Sequence, residues 1–473
     1  MTFPSRTSPS AAHPTGTDVE SLRDLLDARM PGVRADLEAL VRIPSVSADA
    51  FDQAHVQSSA DAVAGLLRDA GLDDVQVLRA PRPDGRDGAP AVVARRPAPV
   101  GRPTVLLYAH HDVQPPGEES GWTTPAFEPV QREGRLYGRG SADDKAGVMA
   151  HVAALRTLLP GWGPDDGVGL VVFVEGEEES GSPSFTRFLT TYRDLLAADV
   201  IVVADSDNWD VDTPSLTVTL RGLVEGDLEV STLRQGVHSG LYGGAAPDAV
   251  MAATALLARL WDDAGDLRVP GLVRGEAAPL PYTEEMLRAE AGLLDGVRPV
   301  GTGSVPTRLW NRAAVTVTGI DAPSVARASN TLLPSVRARL TMRIAPGQDP
   351  QQAFEALRTF LEADPPFGAR VAFTRKELGQ GFAGPVDGPV YEAAGWALSQ
   401  AWDGVPVVHQ GIGGSIPFIA DFVDAFPGAT VLVTGVEDPH TLAHGYDESL
   451  HLGVFSRACL AEVLLLSRLA GTV

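Results

Sequence analysis

The chain has 473 residues, 44% of them hydrophobic, and a formal net charge of −23 at pH 7. This length exceeds one ordinary hydrophobic core, so about two or three domains are expected. Its 38 Lys and Arg residues are outnumbered by 61 Asp and Glu residues, which argues against nucleic acid or an anionic membrane as the partner. The single cysteine, Cys459, excludes intramolecular disulfides and thiolate clusters. A metal site must therefore use His, Asp and Glu.

The N-terminal segment 1–18 is rich in Ser, Thr, Pro and Ala and predicts a disordered lead. It contains no apolar signal core, and no apolar run in the chain approaches the roughly 20 residues of a membrane span. We therefore expect a cytoplasmic protein that acts without a membrane partner.

The next part of the chain alternates helical and strand-like patterns. From Val19 apolar residues recur at helical spacing through VESLRDLLDARM, VRADLEALVRI and HVQSSADAVAGLLRDAG. The Val-rich and Ile-rich runs AVVARR, TVLLYA, VGLVVFVEG and DVIVVAD follow, separated by helices such as DKAGVMAHVAALRTLL. Continuous apolar strands between helices are typical of a mostly parallel sheet covered on both faces, so an α/β fold is predicted.

The pattern changes near Pro214. The segment SLTVTLRGLVEGDLEVSTL alternates apolar and polar residues, and helix PDAVMAATALLARLW, strands AAVTVTGI and VRARLTMRIAP, helix DPQQAFEALRTFLEAD and strand ARVAFTRKEL follow. Such alternation predicts an antiparallel sheet with one open face. After Gly381 the α/β pattern returns, with the strands VPVVHQ and GATVLVTGV between helices. We predict one α/β domain, 19–215 and 382–473, interrupted by an inserted α+β domain, 216–381.

Acidic and imidazole side chains collect just beyond the apolar runs of the α/β part. They are His110, His111 and Asp112; Asp143 and Asp144; Glu175, Glu177, Glu178 and Glu179; Asp205 and Asp207; and His440 and His444. Singly, each is more often a loop or helix-cap residue. Ligands bind beyond the carboxyl ends of strands in open α/β sheets, so these groups are expected to converge. Oxygen and imidazole donors suit zinc, manganese or cobalt, and two ions would explain the surplus of acids.

The motifs HHDVQPP, LYGRGSADDKAG, EGEEESGS, ADSDNW, VHSGLYGG, GGSIP and AHGYDESL occur in this order. Together they resemble the signatures of the M20 family of metallopeptidases, which includes carnosinase, cytosolic nonspecific dipeptidase, succinyl-diaminopimelate desuccinylase and acetylornithine deacetylase. The resemblance extends from about Val19 to the C-terminus. It implies a zinc-exopeptidase-like catalytic domain and an inserted lid and dimerisation domain.

The resemblance implies two divalent metal ions per subunit, with zinc expected and manganese or cobalt as alternatives. One ion would take His110, Asp143 and Asp205, and the other Asp143, Glu179 and His444. Asp143 would bridge the ions, and its peptide bond to Asp144 is expected to be cis. Asp207 is the alternative to Asp205, and His440 has no counterpart in the family.

The resemblance also implies catalytic roles. Asp112 would orient the His110 imidazole, as carboxylates behind metal-bound histidines do. Glu178 would act as general base, taking a proton from a water that bridges the ions, and the resulting hydroxide would attack the amide carbonyl. His238 resembles the residue that stabilises the oxyanion and that in dimeric relatives reaches the active site of the partner subunit. A homodimer is therefore expected.

The substrate-binding residues are implied in the same way. Arg343 resembles the arginine that binds the substrate carboxylate, and a guanidinium matches that group geometrically. Gly414 and Ser415 resemble a loop that holds the same end of the substrate, although Ser415 alone also suits a helix cap. Both Asn330 and Thr331 remain candidates for a further substrate contact.

The predicted function is a metal-dependent hydrolase of dipeptidase type that cleaves the amide bond of small peptides. An N-acyl-amino-acid deacylase, of desuccinylase or acetylornithine deacetylase type, is the alternative within the same chemistry. A catalytically silent binding protein is a distant alternative, because all the implied ligands and the base are present. A serine hydrolase is disfavoured because the chain lacks a GxSxG elbow.

Overall fold

A computed structural model describes residues 18–384, 386–414 and 417–473. Segment 1–17 lies outside this range, and with it the predicted disordered lead except Asp18, whose carboxylate caps the first helix by accepting a hydrogen bond from the Ser21 N–H. Across the described ranges, no helix combines the length and apolar character needed to cross a membrane.

The described part of the chain contains helices and strands in alternation. The helices are α1 Val19–Asp27, α2 Met30–Val41, α3 Ala54–Asp69, α4 Lys145–Leu158, α5 Phe185–Thr191, α6 Arg193–Leu196, α7 Ser239–Tyr242, α8 Ala249–Ala258, α9 Glu284–Glu290, α10 Val305–Trp310, α11 Pro350–Glu362, α12 Pro389–Ala401, α13 Pro417–Ala425 and α14 Leu452–Leu469. The strands are β1 Asp74–Leu78, β2 Ala91–Arg96, β3 Thr104–His110, β4 Val130–Arg132, β5 Arg135–Tyr137, β6 Gly169–Glu175, β7 Val200–Val203, β8 Ser215–Leu220, β9 Gly222–Ser231, β10 Val237–His238, β11 Ala314–Asp321, β12 Thr331–Leu332, β13 Ser335–Ile344, β14 Arg370–Gly379, β15 Phe382–Ala383, β16 Val408–Ile412, β17 Thr430–Val433 and β18 Ser449–His451.

Two compact units divide the chain. Within the described residues, the first comprises 18–216, 387–407 and 425–473, and the second comprises 217–384, 386, 408–414 and 417–424. The sequence placed 408–424 in the catalytic domain, whereas the structure groups this segment with the inserted unit. The reason is local pairing: β16 joins a three-stranded sheet of order β15-β8-β16. Its residues range from the buried Gln410 and Gly411 to the exposed His409, unlike the uniformly buried strands of a doubly covered parallel sheet.

The first unit is built on a six-stranded sheet of order β1-β2-β6-β3-β7-β17. Strands β3, β6, β7 and β17 run parallel to one another, and β1 and β2 extend the sheet antiparallel. All seven residues of β6 are buried, as expected for a strand covered on both faces. Helix α4, buried along nearly its whole length, packs against β3 and α14. The predicted α/β class is confirmed.

The second unit is built on a four-stranded antiparallel sheet of order β11-β13-β9-β14. Strand β9 alternates buried and partly exposed residues along its length, which confirms the predicted open face. The buried face packs against α8 and α11 in a core that includes Leu228, Leu340 and Leu357. The other face carries charged ladders such as Asp227 paired with Arg339.

Candidate metal centre

The parallel strands of the first unit deliver their following residues to one edge of the sheet. Strand β3 ends at His110, directly opposite Glu175 at the end of β6. Strand β7 ends at Val203, two residues before Asp205. Because these strands share a direction, side chains from distant parts of the sequence converge beyond their carboxyl ends.

Two groups of ligand-type side chains form at this edge. One consists of His110, Asp143 and Asp205, the other of Asp143, Glu179 and His444, and within each group the donor atoms all lie within 4.8 Å of one another. Oδ1 of Asp143 lies 3.0 Å from Nε2 of His110, while its Oδ2 lies 3.0 Å from Nε2 of His444. The two oxygens of one carboxylate therefore face two different imidazoles.

The remaining distances are somewhat longer. Nε2 of His444 lies 3.3 Å from Oε2 of Glu179, and Nε2 of His110 lies 4.0 Å from Oδ1 of Asp205. The peptide bond between Asp143 and Asp144 is cis, as predicted. The carboxylate of Asp144 belongs to neither ligand-type group and accepts a hydrogen bond from the main-chain N–H of His110 at 3.1 Å.

Asp112 connects the two sides of the centre. Its carboxylate accepts hydrogen bonds from the main-chain N–H groups of Glu178 and Glu179, at 3.2 and 3.0 Å. The same carboxylate lies 3.4 Å from Nδ1 of His110, and that nitrogen lies 3.1 Å from the Asp112 carbonyl oxygen. Both carbonyl and carboxylate oxygens only accept, so Nδ1 carries a proton, which leaves Nε2 as the ring nitrogen that could bind an ion.

Glu448 and Arg139, which the sequence reasoning missed, hold the loops of Asp143 and His444. The buried Glu448 carboxylate accepts hydrogen bonds from the N–H groups of Gly140, Ala142 and Asp143. The Arg139 guanidinium donates to Glu448 at 2.6 Å and to the carbonyl of Gly445 at 3.0 Å. The available signal was the acid in AHGYDESL, four residues after His444.

Gln114, also missed, positions Glu179. Its main-chain N–H donates to Oε1 of Glu179 at 3.1 Å, and its side-chain amide donates to Oε2 at 2.7 Å. A carboxylate held by donors at both oxygens keeps a fixed orientation. Gln114 follows Asp112 by two residues, so its place in HHDVQPP was the signal.

The electrostatics of the centre follow from crowding acids in a buried space. Burial raises the pKa of Glu178 well above its usual range, and the neighbouring carboxylates of Asp205 and Glu179 raise it further. Burial also raises the pKa values of Asp205 and Glu179. Burial lowers the pKa of His110, but its hydrogen bonds to Asp112 and Asp143 outweigh that effect and raise it. These shifts mark a site with an excess of negative charge.

Several candidates from the same motifs belong to neither ligand-type group. His111 is buried and donates from Nε2 to the Pro90 carbonyl oxygen at 2.9 Å, which makes it a packed residue. Glu175 accepts from the Tyr108 hydroxyl. Glu177 accepts hydrogen bonds from the main-chain N–H groups of residues 89 and 184, and its carboxylate forms an ion pair with the Arg82 guanidinium.

Of the two aspartates after β7, Asp205 joins a ligand group and Asp207 does not. Asp207 instead forms a backbone bridge with Glu437. His440 is exposed and outside both groups.

The second unit carries most of the predicted substrate residues. His238 is exposed, its Nδ1 accepts a hydrogen bond from the Gly240 N–H, and its antiparallel register partner is Thr331. The carbonyl of Asn330 accepts from the Ser239 N–H, so both candidate residues adjoin the His238 segment.

Arg343 lies on β13, opposite Leu223 of β9 and Ala314 of β11. Gly414 is partly buried, and a Cβ built there would lie 3.8 Å from the side chain of Ile412, an ordinary van der Waals contact. Ser415 lies outside the described residues.

The donor set fits two divalent ions. It combines two imidazoles with carboxylates and contains no thiolate, a chemistry that suits zinc, manganese or cobalt. The division of the Asp143 oxygens between His110 and His444 matches a bridging carboxylate between two ions. Asp112 behind His110 supplies the outer carboxylate that usually accompanies a metal-bound histidine.

Comparison with known proteins agrees with this geometry. The profile of "Peptidase family M20/M25/M40" matches residues 106–468. A "Cysteinylglycine-S-conjugate dipeptidase" of Corynebacterium striatum is 34% identical over 411 residues, which cover 86% of this chain and 88% of that protein. A "Beta-Ala-His dipeptidase" of Rattus norvegicus is 28% identical over 388 residues, covering 76% and 77% of the two chains.

A solved structure has the same fold. The dipeptidase Dug1p from Saccharomyces cerevisiae superposes with a TM-score of 0.75 at 22% sequence identity, covering 96% of this chain and 99% of the other. The similarity extends over both compact units, since the coverage is nearly complete.

Proposed function

Because this chain belongs to peptidase family M20/M25/M40 and is a metal-dependent dipeptidase of that family, we propose that it hydrolyses dipeptides with a free amine at a two-metal centre. His110, Asp143 and Asp205 would hold one ion, and Asp143, Glu179 and His444 the other. Zinc is the proposed ion. The names of the relatives make Cys-Gly, its S-conjugates and β-Ala-His the first substrates to test.

Divalent ions bound there would lower the pKa of a coordinated water and polarise the amide carbonyl. Glu178 would accept the proton of the attacking water and pass it to the departing amine. Its raised pKa supports this role, because a carboxyl that binds protons more tightly is a better base near neutral pH. Asp112 would keep Glu178 in place through the hydrogen bond from its N–H.

One observation carries this proposal: the carboxylate of Asp143 presents one oxygen to each of two imidazoles. A carboxylate that served only as a helix cap or an ion-pair partner would not need this arrangement. Residues 140–143 are held by Glu448 from behind, so the orientation of Asp143 is maintained by buried hydrogen bonds.

The roles in the second unit are part of the proposal. His238 would stabilise the oxyanion in the site of a partner subunit, and Arg343 would bind the substrate carboxylate with Gly414 and Ser415. Either Thr331 or Asn330 would add a contact. The exposed position of His238 leaves its ring accessible. The homodimer and the cytoplasmic location stay predictions from the sequence.

The proposal is tested by substrate and metal together. Chelated enzyme receives zinc, manganese or cobalt and is offered Ala-Ala, Leu-Gly, Cys-Gly, β-Ala-His, N-acetyl-ornithine and N-succinyl-diaminopimelate. Metal-restored cleavage of the free-amine dipeptides alone is expected. Cleavage of acylated substrates alone would instead assign the chain to the deacylase branch, and no turnover with any ion would support the silent alternative.

The role of His238 has its own test. His238→Ala should leave the bound metal unchanged and lower kcat by about 10²–10³, the loss typical of an oxyanion donor. Mixing this variant with Glu178→Gln protein should restore part of the activity if His238 acts across a dimer. A normal rate for His238→Ala would remove the residue from the mechanism.

A further inference from the structure

A short hairpin of the first unit, residues 80–88, packs against the loop that follows β6. Pro81 and Asp87 form an antiparallel bridge within this hairpin. A Cβ added at Gly88 would lie only 2.4 Å from Oγ of Ser184 in the loop. The hairpin and the loop therefore approach each other too closely at this point for any side chain larger than that of glycine.

The loop, residues 177–184, turns back on itself through a strained conformation. It carries the proposed base Glu178 and the proposed ligand Glu179, and it then passes through Gly181 at φ 82° and Ser182 at φ 50°. The left-handed conformation is unfavourable at Ser182, which has a side chain, and is easily adopted by glycine. Such a conformation persists only where the surrounding contacts enforce it.

Glu177 supplies those contacts from within the loop. Its main-chain carbonyl accepts hydrogen bonds from the N–H groups of Ser180 at 3.2 Å and Ser182 at 3.0 Å. Oε1 of its carboxylate accepts a hydrogen bond from the N–H of Ser184 at 2.8 Å. One residue thus holds three alternate N–H groups of the loop that carries the proposed base.

The carboxylate of Glu177 is in turn held by the hairpin. Oε2 of Glu177 accepts a hydrogen bond from Nε of Arg82 at 3.0 Å, and Nη2 of Arg82 lies 2.9 Å from the same oxygen. The main-chain N–H of Ala89 also donates to Oε2, at 2.9 Å. Donors at both oxygens keep the carboxylate in one orientation. The Glu177 side chain is 2% exposed, so its charge depends on this ion pair for compensation.

Arg86 provides a comparison within the same hairpin. Both Arg82 and Arg86 bind the carboxylate of Asp49, at 2.9 and 2.8 Å. The second partner of Arg86 is Asp84, and the Arg86 side chain is 59% exposed, whereas that of Arg82 is 10% exposed. Within residues 80–88, all of which the structure describes, the ion pair with the loop is made by Arg82.

We propose that Arg82 is a positioning residue for the hydrolysis: acting through Glu177, it fixes the loop that places Glu178 against the attacking water. This inference rests on the proposed function, in which Glu178 is the base. A displacement of about 1 Å can cost about 10²-fold in rate. The proposed substrate contacts Arg343 and Gly414 belong to other segments, so loss of Arg82 should lower kcat and leave KM nearly unchanged.

The test measures kcat and KM with the dipeptide that the zinc-loaded wild type cleaves fastest. Arg82→Met should lower kcat by about 10–100-fold, while elemental analysis at saturating zinc still finds two ions per chain. KM should stay within about threefold of the wild-type value. Arg82→Lys keeps the charge but not the forked geometry, so its kcat should lie between those of Arg82→Met and the wild type.

Arg86→Met is the matched control, because it removes an arginine from the same hairpin without breaking the contact with Glu177. Ion pairs as exposed as those of Arg86 contribute little to stability, so kcat should stay within about twofold of the wild-type value.

A double variant separates positioning from stability. Arg82→Met alone leaves the buried Glu177 carboxylate without its ion-pair partner and should lower the Tm. Adding Glu177→Gln removes the uncompensated charge, so the Tm should rise again. The ion pair between the hairpin and the loop is still absent in this double variant, and kcat should therefore remain low. Recovery of kcat together with the Tm would mean that Arg82 has a structural role alone, and the inference would be overturned.

The remaining outcomes keep the two proposals apart. A normal kcat for Arg82→Met, or an equal loss in Arg86→Met, would overturn the role of Arg82 and leave the proposed function standing. A raised KM with unchanged kcat would also overturn it, because Arg82 would then act on substrate binding. A zinc-loaded wild type that cleaves no dipeptide would overturn the proposed function, and the role of Arg82 with it.

Discussion

Replacing Asp112 with alanine should weaken both ion sites at once. The Asp112 side chain is fully buried and contacts the His110 imidazole as well as the N–H groups of Glu178 and Glu179. Without this carboxylate, the His110 imidazole, a proposed ligand of one ion, would lose its outer contact. The segment of Glu178 and Glu179, which carries a proposed ligand of the other ion, would lose two hydrogen bonds. A single substitution therefore tests whether the two sides of the centre are mechanically linked.

The expected magnitude follows from these contacts. Loss of an outer carboxylate behind a metal-bound histidine typically lowers metal affinity by about 10–100-fold, which is about 1.4–2.8 kcal/mol. The two hydrogen bonds to the carboxylate contribute about 1.5–3 kcal/mol each when fully buried. Because Glu178 and Glu179 are only partly buried, water can replace part of these two hydrogen bonds in the variant. We therefore expect the free energy of unfolding of the apo protein to fall by about 3 kcal/mol.

Metal affinity would be measured by competition with a chelator of known affinity, and stability by urea unfolding of the apo protein. Asp49→Ala is the control, because Asp49 is also an ion-paired acid but is largely exposed and binds Arg82 and Arg86. Exposed ion pairs contribute about 0–1 kcal/mol, so this control should retain normal metal affinity. Wild-type affinity for both ions in Asp112→Ala would refute the linkage.

Three further substitutions test the base, a buried ion pair and a pH-dependent contact. Glu178→Gln should abolish dipeptide turnover while two ions remain bound by elemental analysis; loss of an ion would mean that the base and the ligand Glu179 have been exchanged. Arg139→Met leaves the buried Glu448 carboxylate without its ion-pair partner and should lower the free energy of unfolding by about 3–5 kcal/mol. A loss below about 1 kcal/mol in urea unfolding would contradict the stabilising role of this ion pair. Burial lowers the pKa of His151, but its ion pair and hydrogen bond with Glu462 outweigh burial and raise it. Since the folded pKa lies above the unfolded one, this contact stabilises fully below about pH 6.5 and its contribution disappears as pH rises through the folded pKa. The stability difference between wild type and His151→Gln should therefore shrink from pH 6 to pH 9, and a constant difference would count against the contact.

Local patterns in the sequence were sufficient for the architecture. Strand β6 is continuously apolar because both its faces are buried, whereas β9 alternates because one face is open. These periodicities distinguish a covered parallel sheet from an open antiparallel one without knowledge of any contact. The sequence placed the segment of β16 in the α/β domain, and the structure pairs β16 with β8 in a separate sheet, because a short apolar run does not specify its partner.

Residue types and their positions after apolar runs were enough to predict the chemical type of the candidate ligands and their convergence, because parallel strands carry their following residues to a common edge. The folded chain was needed to show that the two oxygens of Asp143 face different imidazoles and that Glu448 and Gln114 hold the ligand loops. Those contacts join residues more than 30 positions apart, and their distances depend on loop conformations that no local pattern encodes.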